Sequence, residues 1–573
     1  MSHNKIHSPG YARDLLSRET GVVKKKWQGR LAIGLVFPNS YGLGMSNLGF
    51  QLVYAIINRH PGAVGERFFL PAKKCLPFSL ESNRPLRDFP VIFISVSFEQ
   101  DYLNLISMLR AAGIPPLAED RPAGNTPLII AGGVATFINP EPLVPFVDLF
   151  VVGEAEPILP ALIDYLIARQ GCDDKESLLF DLATRFPGCY APRFYHYIYD
   201  AGQRFSGFSV SEPLPLRIRR HLLAREKGAG HSQILSPAAE FSDMFLVELG
   251  RGCSRGCRFC AAGFVYRPPR LWSGDTIITA LDARPENINR VGLLGMEMVS
   301  EADLTRLTEY FFSKSCLLSF SSLRADAITP GLLTLLSKSN LKSVTLAPDG
   351  ASERLRQVIN KGLSEEDVVG AAEALVRAGI QTIKLYFMIG LPTETREDIE
   401  ELVSLVLKIK SRILEIGRSR GRMSNLVLSI NSFVPKPWTP FQWHPYGPVP
   451  ELKERLRTIR KALAKVGNIK VMSDQPAGAY FQSLIARGDR KVGMALLAMI
   501  ERGKGLKDGL EQAGILARDY VERPRERNEA FPWEIIDHGI KRVYLWAEYQ
   551  RALQGKSTPA CLVGTCRRCG VCK

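Results

Sequence analysis

Nowhere in its 573 residues does the chain hold an uninterrupted apolar run of the ~18–20 residues a helix needs to cross a bilayer. The opening stretch, MSHNKIHSPGYARDLLSRE, also lacks the apolar segment of a secretory leader. Both absences point to a cytoplasmic protein. A reducing compartment suits 11 cysteines kept as thiols or metal ligands better than as disulfides. Acidic residues are in deficit, because 74 Lys and Arg against 58 Asp and Glu leave a formal charge of +16. Such an excess fits a polyanionic partner such as RNA, and equally fits basic side chains spread over a large surface. The densest basic run, ILEIGRSRGRMS (Ile413–Ser424), has no aromatic residue on which a base could stack. Composition, 46% apolar and 23% charged, is that of a globular protein. The length suggests about three to four domains.

The most informative lack is a ligand set that stops one short. GRGCSRGCRFC (Gly250–Cys260) places Cys253, Cys257 and Cys260 in a C-x3-C-x2-C spacing directly after the apolar run Met244–Leu249. Three thiolates on one short loop can hold three corners of a cubane iron–sulfur cluster, leaving one iron open to a small molecule. A zinc knuckle needs a fourth Cys or His nearby, and downstream only the lone Cys316 precedes His444. With the aromatic Phe259 just before the last Cys, the stretch resembles the signature of the radical S-adenosylmethionine (SAM) enzymes. The resemblance implies a [4Fe–4S] cluster whose open iron binds the amino and carboxylate groups of SAM. One electron then splits SAM into methionine and a 5′-deoxyadenosyl radical, which takes a hydrogen atom from an unactivated carbon. An electron donor such as flavodoxin or ferredoxin is implied too.

After an extension over residues 1–30, short apolar strands alternate with helices from 31 to 170. LAIGLVFP (Leu31–Pro38), VIFISVSF (Val91–Phe98), PLIIAGG (Pro127–Gly133) and VDLFVVGE (Val147–Glu154) are apolar enough for burial on both faces of a parallel, Rossmann-like sheet. Ligands of such sheets sit at the carboxyl ends of the strands, where the glycines gather. SVSFEQDYLN, IIAGG, NPEPL and VVGEAE resemble segments of the cobalamin-binding domain that precedes many radical SAM domains. On that resemblance Ser95, Ser97, Gly132 and Gly133 are cofactor contacts, the glycines because they let backbone approach the nucleotide tail of the corrinoid. The D-x-H-x-x-G motif that supplies a lower axial histidine in some cobalamin proteins is missing. The turn reads PNSYGLGMSNLG, and His60 has no Asp two residues before it. A Rossmann-like domain without the cofactor is the alternative. Residues 171–242 read as an irregular bridge in which Cys172 and Cys189 are ordinary residues.

Between residues 243 and 445 six strand–helix units suggest a partial (β/α)6 barrel. The strands are MFLVEL, VGLLGM, LLSFSSL, SVTLAP, TIKLYFMIG and LVLSINSFV. Chemistry in such folds sits at the carboxyl ends of strands. By resemblance, Glu297 contacts the SAM amino group, and Ser322, Arg324 and Asp326 lie near its ribose or carboxylate, with Arg324 able to fork onto a carboxylate. APDGASERLRQVINKG (Ala347–Gly362) closes over the sulfonium, and Gly390 and Pro392 of FMIGLPTET touch the adenine. The aromatics Phe433, Trp438, Phe441 and Trp443 are core or substrate-facing.

A mainly helical region, 446–573, ends in CLVGTCRRCGVCK, whose Cys561, Cys566, Cys569 and Cys572 complete a four-thiolate shell. That shell suits a second [4Fe–4S] cluster or a tetrahedral zinc. The order of elements resembles a family of radical SAM proteins with a cobalamin-type domain in front and a four-Cys tail. The function expected is cobalamin-dependent methylation of an unactivated carbon. The alternatives are a cobalamin-independent methylthiotransferase-like or ring-forming modification of RNA or protein, and a nucleic-acid-binding iron–sulfur protein without turnover.

Overall fold

Every residue of Leu31–Phe37 (β1) is buried, as befits a strand covered on both faces, and the amino-terminal sheet grows outward from it. Around it lie Ala63–Phe69 (β2), Val91–Ser95 (β3), Leu128–Gly132 (β4), Leu149–Val151 (β5) and Cys189–Tyr190 (β6), in the order β2-β1-β3-β4-β5-β6. All pairings are parallel except the last. The computed structural model describes residues 9–71, 75–122, 124, 126–171, 174–224, 228–339, 341–503 and 505–572. Cys172 lies outside them.

The chain divides into two units, one of Met1–Asp243, Leu484–Tyr520 and Asn528–His538, the other of Met244–Ser483, Val521–Arg527 and Gly539–Lys573. In the first, β2 has no counterpart among the expected strands. Its sequence, AVGERFF, carries Glu66 and Arg67 yet is buried throughout. The charges survive burial because each is answered: Arg67 donates to Glu19 and Glu81, while Glu66 accepts from the Trp27 indole and the Ser82 hydroxyl.

The expected irregular bridge is more ordered than its composition suggests. It holds the helix Lys175–Arg185, capped by Asp174, the strand β6 with a buried Cys189, and a hairpin of Tyr195–Tyr199 (β7) with Phe205–Val210 (β8). Ile218–Arg219 (β9) pairs with Ile536–Asp537 far along the chain. The expected separate carboxy-terminal region is also not a unit of its own. Asn139 donates to the carbonyls of Ala486 and Gly488, and Arg490 to Glu141, so the helix Arg490–Arg502 folds with the amino-terminal sheet.

The second unit contains Phe245–Glu248 (β10), the short pair Gly250–Arg251 (β11) and Arg270–Leu271 (β12), then Arg290–Leu294 (β13), Leu317–Phe320 (β14), Ser343–Asp349 (β15), Thr382–Ile389 (β16), Asn425–Ser432 (β17) and Ile469–Ser473 (β18). The six strands expected of a partial barrel are present and parallel, but they form two sheets, β10-β13-β14 and β15-β16-β17-β18. One isolated bridge, Leu323 to Leu346, joins them. Strand β18 adds a seventh, beyond the range expected for the barrel. Alternating burial along β17, with every second residue inside, shows one face packed beneath helices such as Glu365–Arg377 and Arg396–Ser419. Both helices start in capping boxes, Ser364 with Asp367 and Thr395 with Asp398. Among the described residues no helix is long and apolar enough to cross a membrane.

Candidate iron–sulfur and cofactor sites

The cysteine loop is closed at its base by the antiparallel pair β11–β12, so residues 252–269 form one excursion beyond the end of β10. Gly252 opens it at a φ of 88°, with the Tyr266 carbonyl oxygen 2.6 Å from where a Cβ would stand, so only glycine fits. Two neighbouring segments then hold the loop. From the end of β13, Glu297 accepts from the Ser254 N–H at 2.9 Å and the Ser254 hydroxyl at 2.5 Å. From the segment after β15, Asn360 donates to the Arg255 and Gly256 carbonyls, and the Ile359 carbonyl accepts from the Arg258 N–H. Within this cradle Cys257 is buried and Cys253 and Cys260 are half-buried.

Burial pushes the Cys253 thiol up to about 12, Cys260 up to about 11, and Cys257 upward too. All three are therefore protonated at neutral pH, and ligation to iron releases protons. The Arg255 N–H at Cys253, and Lys361 and Arg324 beside Cys257, oppose that burial and favour thiolate. Among the described residues no three His, Cys, Asp or Glu side chains come close enough to share one metal ion. Three soft thiols on one loop are the donor type of a cubane, which carries each thiolate on a separate iron.

Arg324 and Asp326, expected near the ribose or carboxylate of SAM, bond each other. The guanidinium forks onto the carboxylate at 2.9 and 3.0 Å and reaches the Lys361 carbonyl at 2.7 Å. Glu297, expected at the SAM amino group, has both oxygens on Ser254. Ser322 is exposed just past β14. The segment Ala347–Gly362 contains two residues that the sequence reading did not single out. Lys361 lies 2.6 Å from Asp349, and both approach Cys257. Asp349 sits at a φ of 62°, in the left-handed region that non-glycine residues seldom adopt. Gly390, also at positive φ, donates its N–H to Glu394 at 2.8 Å, and Pro392 is buried beside it. Glu394, missed in sequence, also accepts from Arg455, and burial pushes its carboxyl up to about 7.

The four-Cys tail folds against the same loop. The Cys561 N–H donates to the Ser254 carbonyl at 2.7 Å, and Thr558 exchanges hydrogen bonds with Asn360. Arg267, from the cysteine excursion, stacks on Phe264 and faces Tyr544 and the Cys569 thiol. Cys561 and Cys569 are buried, while Cys566 and Cys572 are half-buried. The Arg568 guanidinium donates to the Cys566 sulfur and holds that thiol below its ordinary value, whereas burial lifts Cys561 to about 11.

In the first unit, the order β2-β1-β3 places a topological switch between β1 and β3, where ligands of such sheets bind. Asn47 donates to the Ser97 hydroxyl and Asn39 to Asp101, so the turns after β1 and β3 are tied together. The second Asp101 oxygen is buried without a partner among the described residues, and burial raises that carboxyl to about 6. Hydrogen bonds from Glu240 to Gly42 and from Phe241 to Ser46 bring Phe241 alongside. Leu43, Phe98 and Phe241 thus stand 39%, 49% and 46% exposed along this edge, an apolar rim suited to a flat ring. Ser95 and Gly132 are partners in the β3–β4 ladder. Gly133, at a φ of 107°, has the Val96 carbonyl oxygen 2.4 Å from a would-be Cβ, so its bareness serves the protein's own backbone. His60 bonds Asp164 and precedes β2, at the amino ends of the strands and away from this edge.

A parallel α/β framework presents three thiols on one loop beyond a strand end, a donor set that suits an iron–sulfur cluster. Residues 247–406 match the family described as the Radical SAM superfamily, and residues 49–192 match that described as Radical SAM proteins, N-terminal. The chain belongs to the radical SAM superfamily. An uncharacterized protein of Methanocaldococcus jannaschii is 28% identical over 465 residues, 80% of this chain and 89% of that one. Among solved structures, the cobalamin-dependent SAM radical enzyme OxsB aligns at 15% identity and a TM-score of 0.43 over 66% of this chain and 52% of its own, so the alignment spans about half of OxsB. The radical SAM methyltransferase TsrM of Kitasatospora setae aligns at 13% identity and 0.44, over 70% and 72%.

Proposed function

We propose that the protein is a cobalamin-dependent radical SAM methyltransferase acting on an unactivated carbon, with RNA or a protein as the substrate class its positive charge favours. The observation that carries the radical half is the cradle of Cys253, Cys257 and Cys260, fixed from both sides by Glu297 and Asn360. With SAM on its open iron, a cluster there supplies the 5′-deoxyadenosyl radical. Glu297 keeps the loop in ligating shape, and the Lys361–Asp349 and Arg324–Asp326 pairs set the charge beside Cys257. Arg324 or Lys361 is the group to receive the SAM carboxylate, either by exchanging its present partner for it. The turn at Gly390, braced by Glu394, receives the adenine. The tail thiols hold a second [4Fe–4S] cluster, with zinc as the alternative metal.

Support for cobalamin is the apolar rim of Leu43, Phe98 and Phe241 at the switch point. Bound there, cobalamin supplies a transferable methyl group. No histidine of the β1 turn stands ready as its lower ligand, so the corrinoid is held by its edges and tail.

Anaerobic purification with cobalamin and methyl-labelled SAM tests the reading. One corrinoid per chain by absorbance, 5′-deoxyadenosine, and label carried into tRNA or protein are expected. SAM cleavage without corrinoid binding would transfer the case to cobalamin-independent modification. Iron without SAM cleavage would leave a binding protein.

A further inference from the structure

One face of the sheet β15-β16-β17-β18 is packed beneath helices, and the other is left partly open. Along β16, Ile383, Leu385, Phe387 and Ile389 are buried, while Lys384 and Tyr386 between them are exposed. The parallel register carries this division across the neighbouring strands. Lys384, Val427 and Lys470 form one cross-strand row, and Tyr386, Ser429 and Met472 form the next. Tyr386 is 40% exposed and Met472 49%. All of these residues belong to the second unit.

The open face carries cations that nothing answers. Neither the Lys384 nor the Lys470 ammonium has a hydrogen-bond or ion-pair partner among the described residues, and neither has the Tyr386 hydroxyl. The acids at the carboxyl ends of β15 and β18 are both engaged, Asp349 with Lys361 and Asp474 with the Asn431 amide. Adjacent strands lie about 4.8 Å apart, so the two lysine positions stand roughly 10 Å apart, and Tyr386 and Met472 lie about 7 Å further along. Free cations beside an accessible ring suit a single-stranded nucleic acid, whose phosphates take the cations and whose base takes the ring. An acidic peptide would use the lysines and leave the ring without a role. The densest basic run, Ile413–Ser424, has no such ring, and this face has one. The face also leads toward the cysteine loop. Asp349, which approaches Cys257, is the ladder partner of Phe387, the residue after Tyr386.

We infer that this face receives a single-stranded RNA segment. One base stacks on Tyr386 above the small Ser429, with Met472 as the apolar wall beyond, and the flanking phosphates lie on Lys384 and Lys470. The base is thereby held nearer the carboxyl ends of the strands than its phosphates are. The inference rests on the proposed function and narrows its substrate class from RNA or protein to RNA.

The test uses the full chain, reconstituted anaerobically with iron and sulfide. The probe is a fluorescein-labelled single-stranded oligoribonucleotide of mixed sequence, and its affinity is read by anisotropy over a range of salt. Tyr386→Ala should weaken binding about tenfold, and Tyr386→Phe, which keeps the ring, by less than about twofold. K384A/K470A should weaken it about tenfold at low salt. The same pair should flatten the slope of log affinity against log salt by about 1.4, or about 0.7 for each phosphate. Iron content and urea midpoint should match wild type in each variant, which separates a lost contact from a lost fold. Wild-type affinity in both Tyr386→Ala and K384A/K470A would overturn the inference. So would tighter binding of an acidic peptide, or of the same strand made as DNA. Equal loss in Tyr386→Phe and Tyr386→Ala would remove the stack on which it depends. A wild type that binds the RNA as expected but forms no 5′-deoxyadenosine with dithionite would instead sink the functional reading, and leave RNA on this face.

Discussion

Arg258, placed between Cys257 and Phe259, is fully buried and reaches the carboxylate of Glu548 on the last helix at 3.1 Å. The same guanidinium donates to the carbonyls of Gln357, Val358 and Lys556 and to the Thr558 hydroxyl. A residue inside the cysteine motif therefore fastens both the segment after β15 and the approach to the tail.

Removing one member of that pair leaves the other charge buried and uncompensated. Arg258→Met should cost about 3–5 kcal/mol in chemical denaturation, and replacing both partners, R258M/E548L, should recover much of it. Iron analysis after reconstitution should show the single variant losing iron from the tail as well as from the loop, because both depend on this clasp.

Glu394 gives a pH signature. Burial raises its carboxyl from an ordinary 4.5 to about 7, so the native state holds the proton more tightly than the unfolded chain. Its contribution to stability is therefore fully present below about pH 4.5 and is lost as pH rises toward 7. Glu394→Gln keeps the acceptor for Gly390 and removes the titration. Unfolding free energies from urea titrations at about pH 5 and pH 8 should differ less in the variant than in wild type, by an amount on the order of 3 kcal/mol.

Lys361 should matter more than its place in a loop suggests. Lys361→Met removes the cation beside Cys257 and leaves Asp349 without its partner. SAM affinity, measured by equilibrium dialysis on the cluster-loaded protein, should fall about tenfold, or about 1.4 kcal/mol. Unchanged affinity would show that Lys361 serves only Asp349.

What the sequence showed and hid follows from the kind of signal each element carries. Strands β1, β3 and β4 are apolar at nearly every position, and the C-x3-C-x2-C spacing is local, so both were legible. Strand β2 was not, because Glu66 and Arg67 break the apolar run and their partners, Trp27, Ser82, Glu19 and Glu81, are remote in sequence. The same holds for the helix Arg490–Arg502, whose allegiance to the first sheet rests on contacts such as Arg490 to Glu141. Resemblance assigned Glu297, Arg324 and Asp326 to SAM, but it could not tell that Glu297 bonds Ser254 and that Arg324 and Asp326 bond each other. Lys361 and Asp349 stood inside a segment already marked, and only the left-handed backbone at Asp349 and the bond between them set them apart.

The central claim is that Cys253, Cys257 and Cys260 hold a cluster that breaks SAM, and that the tail thiols do not. The direct measurement is 5′-deoxyadenosine formed from SAM and dithionite by the reconstituted wild type, Cys257→Ala and Cys569→Ala. The expected result is product from wild type and from Cys569→Ala and none from Cys257→Ala. Product from Cys257→Ala, or none from an iron-replete wild type, would contradict it.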